Sequence, residues 1–265
     1  MSDIRFEAVS KQFRRDGRDF LAVDSIDLAI ADKEFVAIVG PSGCGKTTCL
    51  RLVAGFERAS SGKVTVAGKT IEGPAPERAV VFQQFALFPW KSVHDNIAFG
   101  LANKGVPRSE QKDRVAHYIT LMGLDGYETA YPHQLSGGMQ QRVAIARAYA
   151  LDPLVLLMDE PFGALDAQTR VVMQEELVRL ARVNPRTVLF ITHGVEEAIY
   201  LADRVAVMTR RPGRIKEIVD VKPVREAERW DHRSRIEDVM DLPSFVHLRT
   251  HIWKSLREEK SGEDR

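Results

Sequence analysis

Residues 34–56 read "EFVAIVGPSGCGKTTCLRLVAGF". From Phe35 to Val39 every residue is apolar, the pattern of a strand covered on both faces. "TTCLRLVAGF" follows as a helix. Between them, Gly40–Thr47 matches G-x-x-x-x-G-K-[ST] in the strand–loop–helix setting that this motif requires. Glycines there let backbone N–H groups turn inward around a β-phosphate, and the helix adds roughly half a positive charge at its N-terminus. Gly40, Pro41, Ser42, Gly43, Cys44 and Gly45 then form a nucleotide cradle, with Thr48 beside it in the helix. Lys46 is placed to reach the β- and γ-phosphates, and the Thr47 hydroxyl to ligate Mg²⁺.

Further along, the chain supplies the rest of an α/β core. "PLVLLMDE" and "RTVLFITH" are two more buried strands, each followed by a helical pattern ("AQTRVVMQEELVRLARV" and "GVEEAIYLADR"). Such alternation predicts a parallel sheet covered by helices. Asp159 ends the first of these strands, where its carboxylate can bind Mg²⁺ directly or through water. Glu160, next to it, is the natural general base for an attacking water. His193 stands at the C-terminal end of the other strand, the edge where ligands sit in open α/β sheets.

Toward the N-terminus, Ile4, Phe6 and Ala8 alternate with polar neighbours, as do Phe20, Ala22, Asp24, Ile26, Leu28 and Ile30, with Asp24 out of place. "KVTVAGKTI" predicts two short strands around an Ala-Gly turn. From about residue 90 to 150, "SEQKDRVAHYITLMGL" and "QQRVAIARAYAL" carry helical periodicity, so this stretch reads as an insertion into the core. Beyond "RPGRI", a turn signal, Phe245, Leu248, Ile252 and Leu256 recur at helical spacing. That helix is expected to pack on the core rather than to bind a partner.

The helical insertion holds a second glycine-rich turn, "LSGGMQQ" at residues 135–141. One phosphate loop already encloses a triphosphate. A second makes sense if Ser136, Gly137 and Gly138 touch the nucleotide of another subunit, the following helix pointing its positive end at that γ-phosphate. Two identical chains would then bury two nucleotides in one two-fold interface. The alternative is a serine N-cap followed by a flexible glycine pair.

With these motifs in order, the chain resembles the ATP-binding subunits of ABC transporters over about residues 1–215. Gly40–Thr47 corresponds to the Walker A motif, "LVLLMDE" to Walker B, "LSGGMQQ" to the signature, Ala164–Asp166 to the D-loop and His193 to the switch histidine. The resemblance implies a P-loop NTPase, RecA-like α/β core. This carries an N-terminal antiparallel β-subdomain and an α-helical subdomain at about 89–150, followed by a short C-terminal helical tail at 216–265. It implies ATP with Mg²⁺ as cofactors. It also implies catalytic roles for Glu160, His193, Gln83 and Lys46, metal contacts from Thr47, Gln83 and Asp159, and nucleotide contacts from Gln140 and Asp166. Phe13 resembles the aromatic that stacks on adenine, with Phe20 as the alternative; any flat ring supplies the stack.

The implied partners are a second copy of the chain, integral membrane permease subunits and, indirectly, an extracytoplasmic solute-binding protein. The implied place is the cytoplasmic face of the membrane. "GPAPERAVVFQQFALFPWKSVHDNIAFGL" and "RPGRI" are similar to the nitrate, sulfonate and taurine importer group. Within it, "FALFPWKSV" corresponds to the groove for a permease helix, although some of its rings belong to the lobe's own core. Where the family usually has Asp after the switch histidine, this chain has Gly194, a departure expected to cost little. Glu160 is intact, so both sites of a homodimer are expected to hydrolyse ATP. The competing readings are a P-loop kinase, which has no use for "LSGG", and an ABC-type ATPase switch outside transport.

Bulk properties agree. The 265 residues carry 38 Lys and Arg against 37 Asp and Glu, a net charge of +1 that argues against nucleic-acid binding by overall electrostatics. No apolar run approaches the ~20 residues needed to cross a bilayer, and no signal-peptide core opens the chain. Cys44 and Cys49 are too few for a disulfide framework or a metal site. At a helix N-terminus, Cys44 is a candidate for a lowered thiol pKa.

Overall fold

A computed structural model describes residues 2–15, 17–233 and 235–261. The first layer is built from β1 (Ile4–Arg15) and β2 (Arg18–Ile30), paired antiparallel. β3 (Phe35–Val39) then enters the core and hands over to α1 (Lys46–Ala54). β4 (Ser61–Val66) and β5 (Lys69–Thr70) return to the first layer around the Ala67-Gly68 turn, giving a four-stranded sheet in the order β2-β1-β4-β5. Both turn residues have positive φ, the geometry of a tight hairpin.

After β6 (Arg78–Val81) the chain leaves the sheets for α2 (Val93–Asn103), α3 (Arg108–Leu121) and α4 (Gly137–Ala150), which pack on one another as a helical lobe. It re-enters through β7 (Val155–Asp159), α5 (Ala167–Val183), β8 (Thr187–Ile191), α6 (Val195–Leu201) and β9 (Arg204–Met208). β10 (Ile215–Asp220) closes a six-stranded sheet in the order β10-β9-β3-β8-β7-β6. Every pair in it is parallel except β10 with β9. The remainder forms α7 (Lys222–Ala227), α8 (Ile236–Met240) and α9 (Pro243–Ser261).

Strict alternation along the parallel strands divides two cores. Phe35, Ala37 and Val39 join Leu156, Met158, Val188 and Phe190 on the face toward the helical lobe, α5 and α6. Val36 and Ile38 join Val155, Leu157, Leu189 and Ile191 on the face toward the antiparallel layer and α1. A strand sandwiched in this way has little room for polar residues, which is why β3, residues 155–158 of β7 and residues 188–191 of β8 are apolar throughout. Phe245, Ile252 and Leu256 of α9 are buried in the first core, as the expected packing role requires.

Several expectations need correction. Ala8 is exposed with φ 47°, and a register shift after Phe6 turns Val9 inward in its place. A bulge of this kind interrupts the period-2 pattern by one residue. On β2, Val23 takes a buried position, and half-buried Asp24 accepts from the Arg214 guanidinium, with Nε at 3.0 Å. The helix read through Arg204 stops at Leu201, because Arg204–Met208 is strand β9. The stretch after residue 215 first adds strand β10 before turning helical.

Candidate active site

β3 delivers Val39 to the sheet's C-terminal edge, and the loop to α1 closes tightly. Gly45 has φ 103°, and a Cβ there would lie 2.5 Å from the Val23 side chain, so only glycine fits. No side chain caps α1 and no acidic residue sits in its first turn. Its first N–H groups are therefore left for a ligand. Lys46 is 5% exposed, and its ammonium donates to the carbonyls of Gly40 at 2.8 Å and Pro41 at 3.1 Å. A cation held by carbonyls at the mouth of such a loop is positioned for an anion.

Around Lys46 the structure gathers the other expected groups. The Thr47 hydroxyl donates to Asp159 Oδ1 at 3.1 Å. Burial pushes the Asp159 carboxyl up, while the Thr47 hydrogen bond and the charge of Lys46 oppose that shift. His193 Nδ1 lies 3.5 Å from the Lys46 ammonium, and its Nε2 lies 2.5 Å from Glu160 Oε1. Glu160 has φ 48°, and its N–H donates to Ile191 at the end of β8, which turns the carboxylate out of the strand line. Gln83, following β6, reaches across to Gly163, with Nε2 3.1 Å from where a Cβ would stand. Gln83, Glu160, Gly163, Arg170 and His193 line one cleft of about 490 Å³. Gly40–Gly43, Arg210, Arg211 and Trp253 line a neighbouring one of about 680 Å³, which His193 also borders.

Ser136, Gly137, Gly138 and Gln140 do not join this group. The Ser136 hydroxyl accepts from the Met139 amide at 3.3 Å and caps α4, while Gln140 Nε2 donates to the Leu135 carbonyl at 3.2 Å. A Cβ on Gly138 would come within 2.6 Å of the Thr169 methyl, so α4 starts hard against α5. Asp166 caps α5, accepting from the Thr169 amide at 2.9 Å and its hydroxyl at 2.6 Å. The Thr169 hydroxyl, with the amide, holds this exposed carboxyl below its usual range. Ser136, Gly137 and Asp166 are all exposed.

Phe13 and Phe20 face each other across β1 and β2, with ring centroids 5.7 Å apart and stacked. Lys11 lies over the Phe13 ring at 4.7 Å, and Arg211 over Phe20 at 4.9 Å. Arg211 also stands 3.9 Å from the Cβ position of Gly43, so Phe20 is linked to the phosphate loop. The "RPGRI" turn does more than reverse the chain. A Cβ on Gly213 would meet the Cys44 carbonyl at 1.9 Å, so the turn backs the loop directly. The sequence marked the turn but not its target. Cys44 departs from expectation: burial pushes its thiol up rather than down, and Cys49 is pushed up to about 12.

Comparison with known proteins identifies the family. The ABC transporter family model matches residues 23–163. An uncharacterized ABC transporter ATP-binding protein of Methanocaldococcus jannaschii is 48% identical over 97% of this chain and 92% of its own length. The taurine import ATP-binding protein of Rhizobium johnstonii is 47% identical over 90% of each chain. The nitrate import ATP-binding protein of Synechococcus elongatus is 44% identical over 98% of this chain and 94% of its own. Among solved structures, a dimeric ATP-binding cassette in a post-hydrolysis state with ADP and Pi superposes with a TM-score of 0.71 at 28% identity. That match covers 82% of this chain and 98% of the other. This chain belongs to the ABC transporter family, as an ATP-binding subunit whose ATPase activity is coupled to transport.

Proposed function

We propose that two copies of this chain close on two ATP molecules and energise uptake of a small solute through a separate membrane permease. One observation carries the two-copy reading. Lys46, Glu160 and His193 meet in one place, while the glycine turn at Ser136 opens elsewhere on the same chain. Each site is then completed by the other copy's Ser136, Gly137 and Gly138. The dimeric state of the similar cassette supports the same arrangement.

In this reading the α1 N-terminus and Lys46 hold the triphosphate, and Phe13 or Phe20 stacks on adenine. Thr47, Asp159 and Gln83 offer the hard oxygen donors that suit Mg²⁺. Among the described residues no group of three His, Cys, Asp or Glu is placed to hold a metal ion, so Thr47, Asp159 and Gln83 would be the protein's share of the Mg²⁺ ligands. The ion, when bound, supplies neutralisation of phosphate charge. Glu160 takes the proton of the attacking water, and His193, between Glu160 and Lys46, keeps the carboxylate turned toward the γ-phosphate.

Among the described residues no helix is long and apolar enough to cross a membrane. In this reading the permease is a separate chain and this subunit works on its cytoplasmic side. Trp90, 71% exposed beside Phe88, is the anchor for a permease helix. Names of relatives that import taurine and nitrate or transport bicarbonate support a small anionic or zwitterionic cargo delivered by an extracytoplasmic solute-binding protein. Co-purification with the permease and solute receptor, followed by ATPase assay with taurine, alkanesulfonates, nitrate and bicarbonate, tests this. At least one is expected to stimulate turnover; an active complex indifferent to all four overturns the cargo reading.

A further inference from the structure

Behind His193 lies a buried polar group that the reaction above leaves unused. Glu197, in the first turn of α6, is 9% exposed, and Gln174 of α5 and Thr192 are each 4% exposed. Gln174 Nε2 donates to Glu197 Oε1 at 2.8 Å, and the Thr192 hydroxyl bonds the other carboxyl oxygen. Thr192 Oγ1 also accepts from the Gly194 N–H at 2.9 Å. The three side chains thus satisfy one another in an interior where an unpaired polar atom is costly.

Their placement suits one task. α6 has no side-chain N-cap, because residue 194 is glycine. The turn from Thr192 to Gly194, which carries His193, is held from inside by Glu197 instead. A Cβ at residue 194 would stand 3.2 Å from the Glu197 Cβ, so the missing cap and the buried carboxyl occupy the same small space. Burial pushes the Glu197 carboxyl up, while Thr192, Gln174 and the charge of Arg170 oppose this and Glu160 adds to it.

We propose that Glu197 is a positioning residue for ATP hydrolysis: it fixes the Thr192–Gly194 turn so that the His193 ring stays against Glu160 and Lys46, and through Gln174 it ties that turn to α5. The proposal rests on the ATPase reading of the site and adds a residue that touches no reacting atom. α5 begins at exposed Asp166, so the tie also connects His193 to the end of α5 that faces a second copy in the proposed pair.

The test compares Glu197→Ala, Glu197→Gln and Thr192→Val in protein labelled with ¹⁵N-histidine, the His193 ring signal being assigned by its loss in His193→Ala. Glu197→Ala should shift or broaden that signal and lower kcat about tenfold, with ATP affinity within about twofold, as misplacement of a catalytic group does. Glu197→Gln, which keeps an acceptor for Gln174 and a polar contact to Thr192, should restore both. Thr192→Val severs one link without opening a cavity, and should move the His193 signal even if Glu197→Ala fails to fold. An unmoved His193 signal in a folded Thr192→Val or Glu197→Ala protein overturns the proposal. A wild-type protein without ATPase activity overturns instead the reading on which it rests.

Discussion

The turn at residues 40–47 and the turn at 135–140 are both glycine-rich and both lead into helices, yet they are finished differently. α1 begins without a side-chain cap, and its cation is already in place, 5% exposed against two carbonyls. α4 begins with Ser136 spent on its own Met139 amide, exposed, with no charged residue in its first turn. The first has the makings of an anion site, since uncapped N–H groups and a lysine converge there. The second presents only a helix dipole and small residues, which in the proposed pair would complete the other copy's site.

Removing the cation should show the contrast most strongly. Lys46→Ala is expected to remove most ATP binding, and hydrolysis should fall by at least the ~10²–10³-fold typical of losing a preorganised donor. Titration with a fluorescent ATP analogue measures this, and retained affinity would break the assignment of the first turn. Ser136→Arg, by contrast, should lower hydrolysis by ~10²–10³ while leaving binding to the isolated chain within about twofold. Equal loss of both would mean that the second turn serves its own chain's nucleotide. Glu160→Gln keeps the shape of the site but removes the base. With saturating ATP it should run as a dimer in gel filtration, where wild type returns to monomer as it hydrolyses; a monomeric variant counts against the paired arrangement.

The same contrast explains what could be read from the chain. The first site lies within one strand–loop–helix unit, so its residues are neighbours in sequence and their spacing is the motif. β7 and β8 were legible for a related reason, being apolar on both faces. β6 and β9 were not: "RAVV" is four residues long, and "RVAVM" follows the helical pattern of "YLAD" with no Gly or Pro between them. The link from Arg211 to Phe20 and Gly43 joins residues far apart in the chain, which no local period records. Glu197 and Gln174 look like solvent-facing positions of polar helices, and only the packing of α5 on α6 buries them. The Cys44 thiol failed for the opposite reason. Its position at a helix start suggests a lowered pKa, and burial of the thiol outweighs the Lys46 charge and the backbone N–H groups that favour the thiolate.

The smallest expected effect lies at the edge of the first site, at Gly194. Its φ of −84° is open to any residue, so Asp there brings no backbone strain. An Asp side chain at this position can cap α6, worth a few tenths of a kcal/mol or more relative to glycine. Against that gain stand a Cβ 3.2 Å from the Glu197 Cβ and a position only 3.8 Å from its Oε2, where a second carboxylate meets like charge. The two effects oppose each other, so Gly194→Asp should leave ATPase activity within about threefold. A tenfold fall would show that crowding of Glu197 wins. Repeating the measurement in Glu197→Gln, which carries no charge to repel, should then recover most of the loss if repulsion is the cause and little of it if the crowding is purely steric.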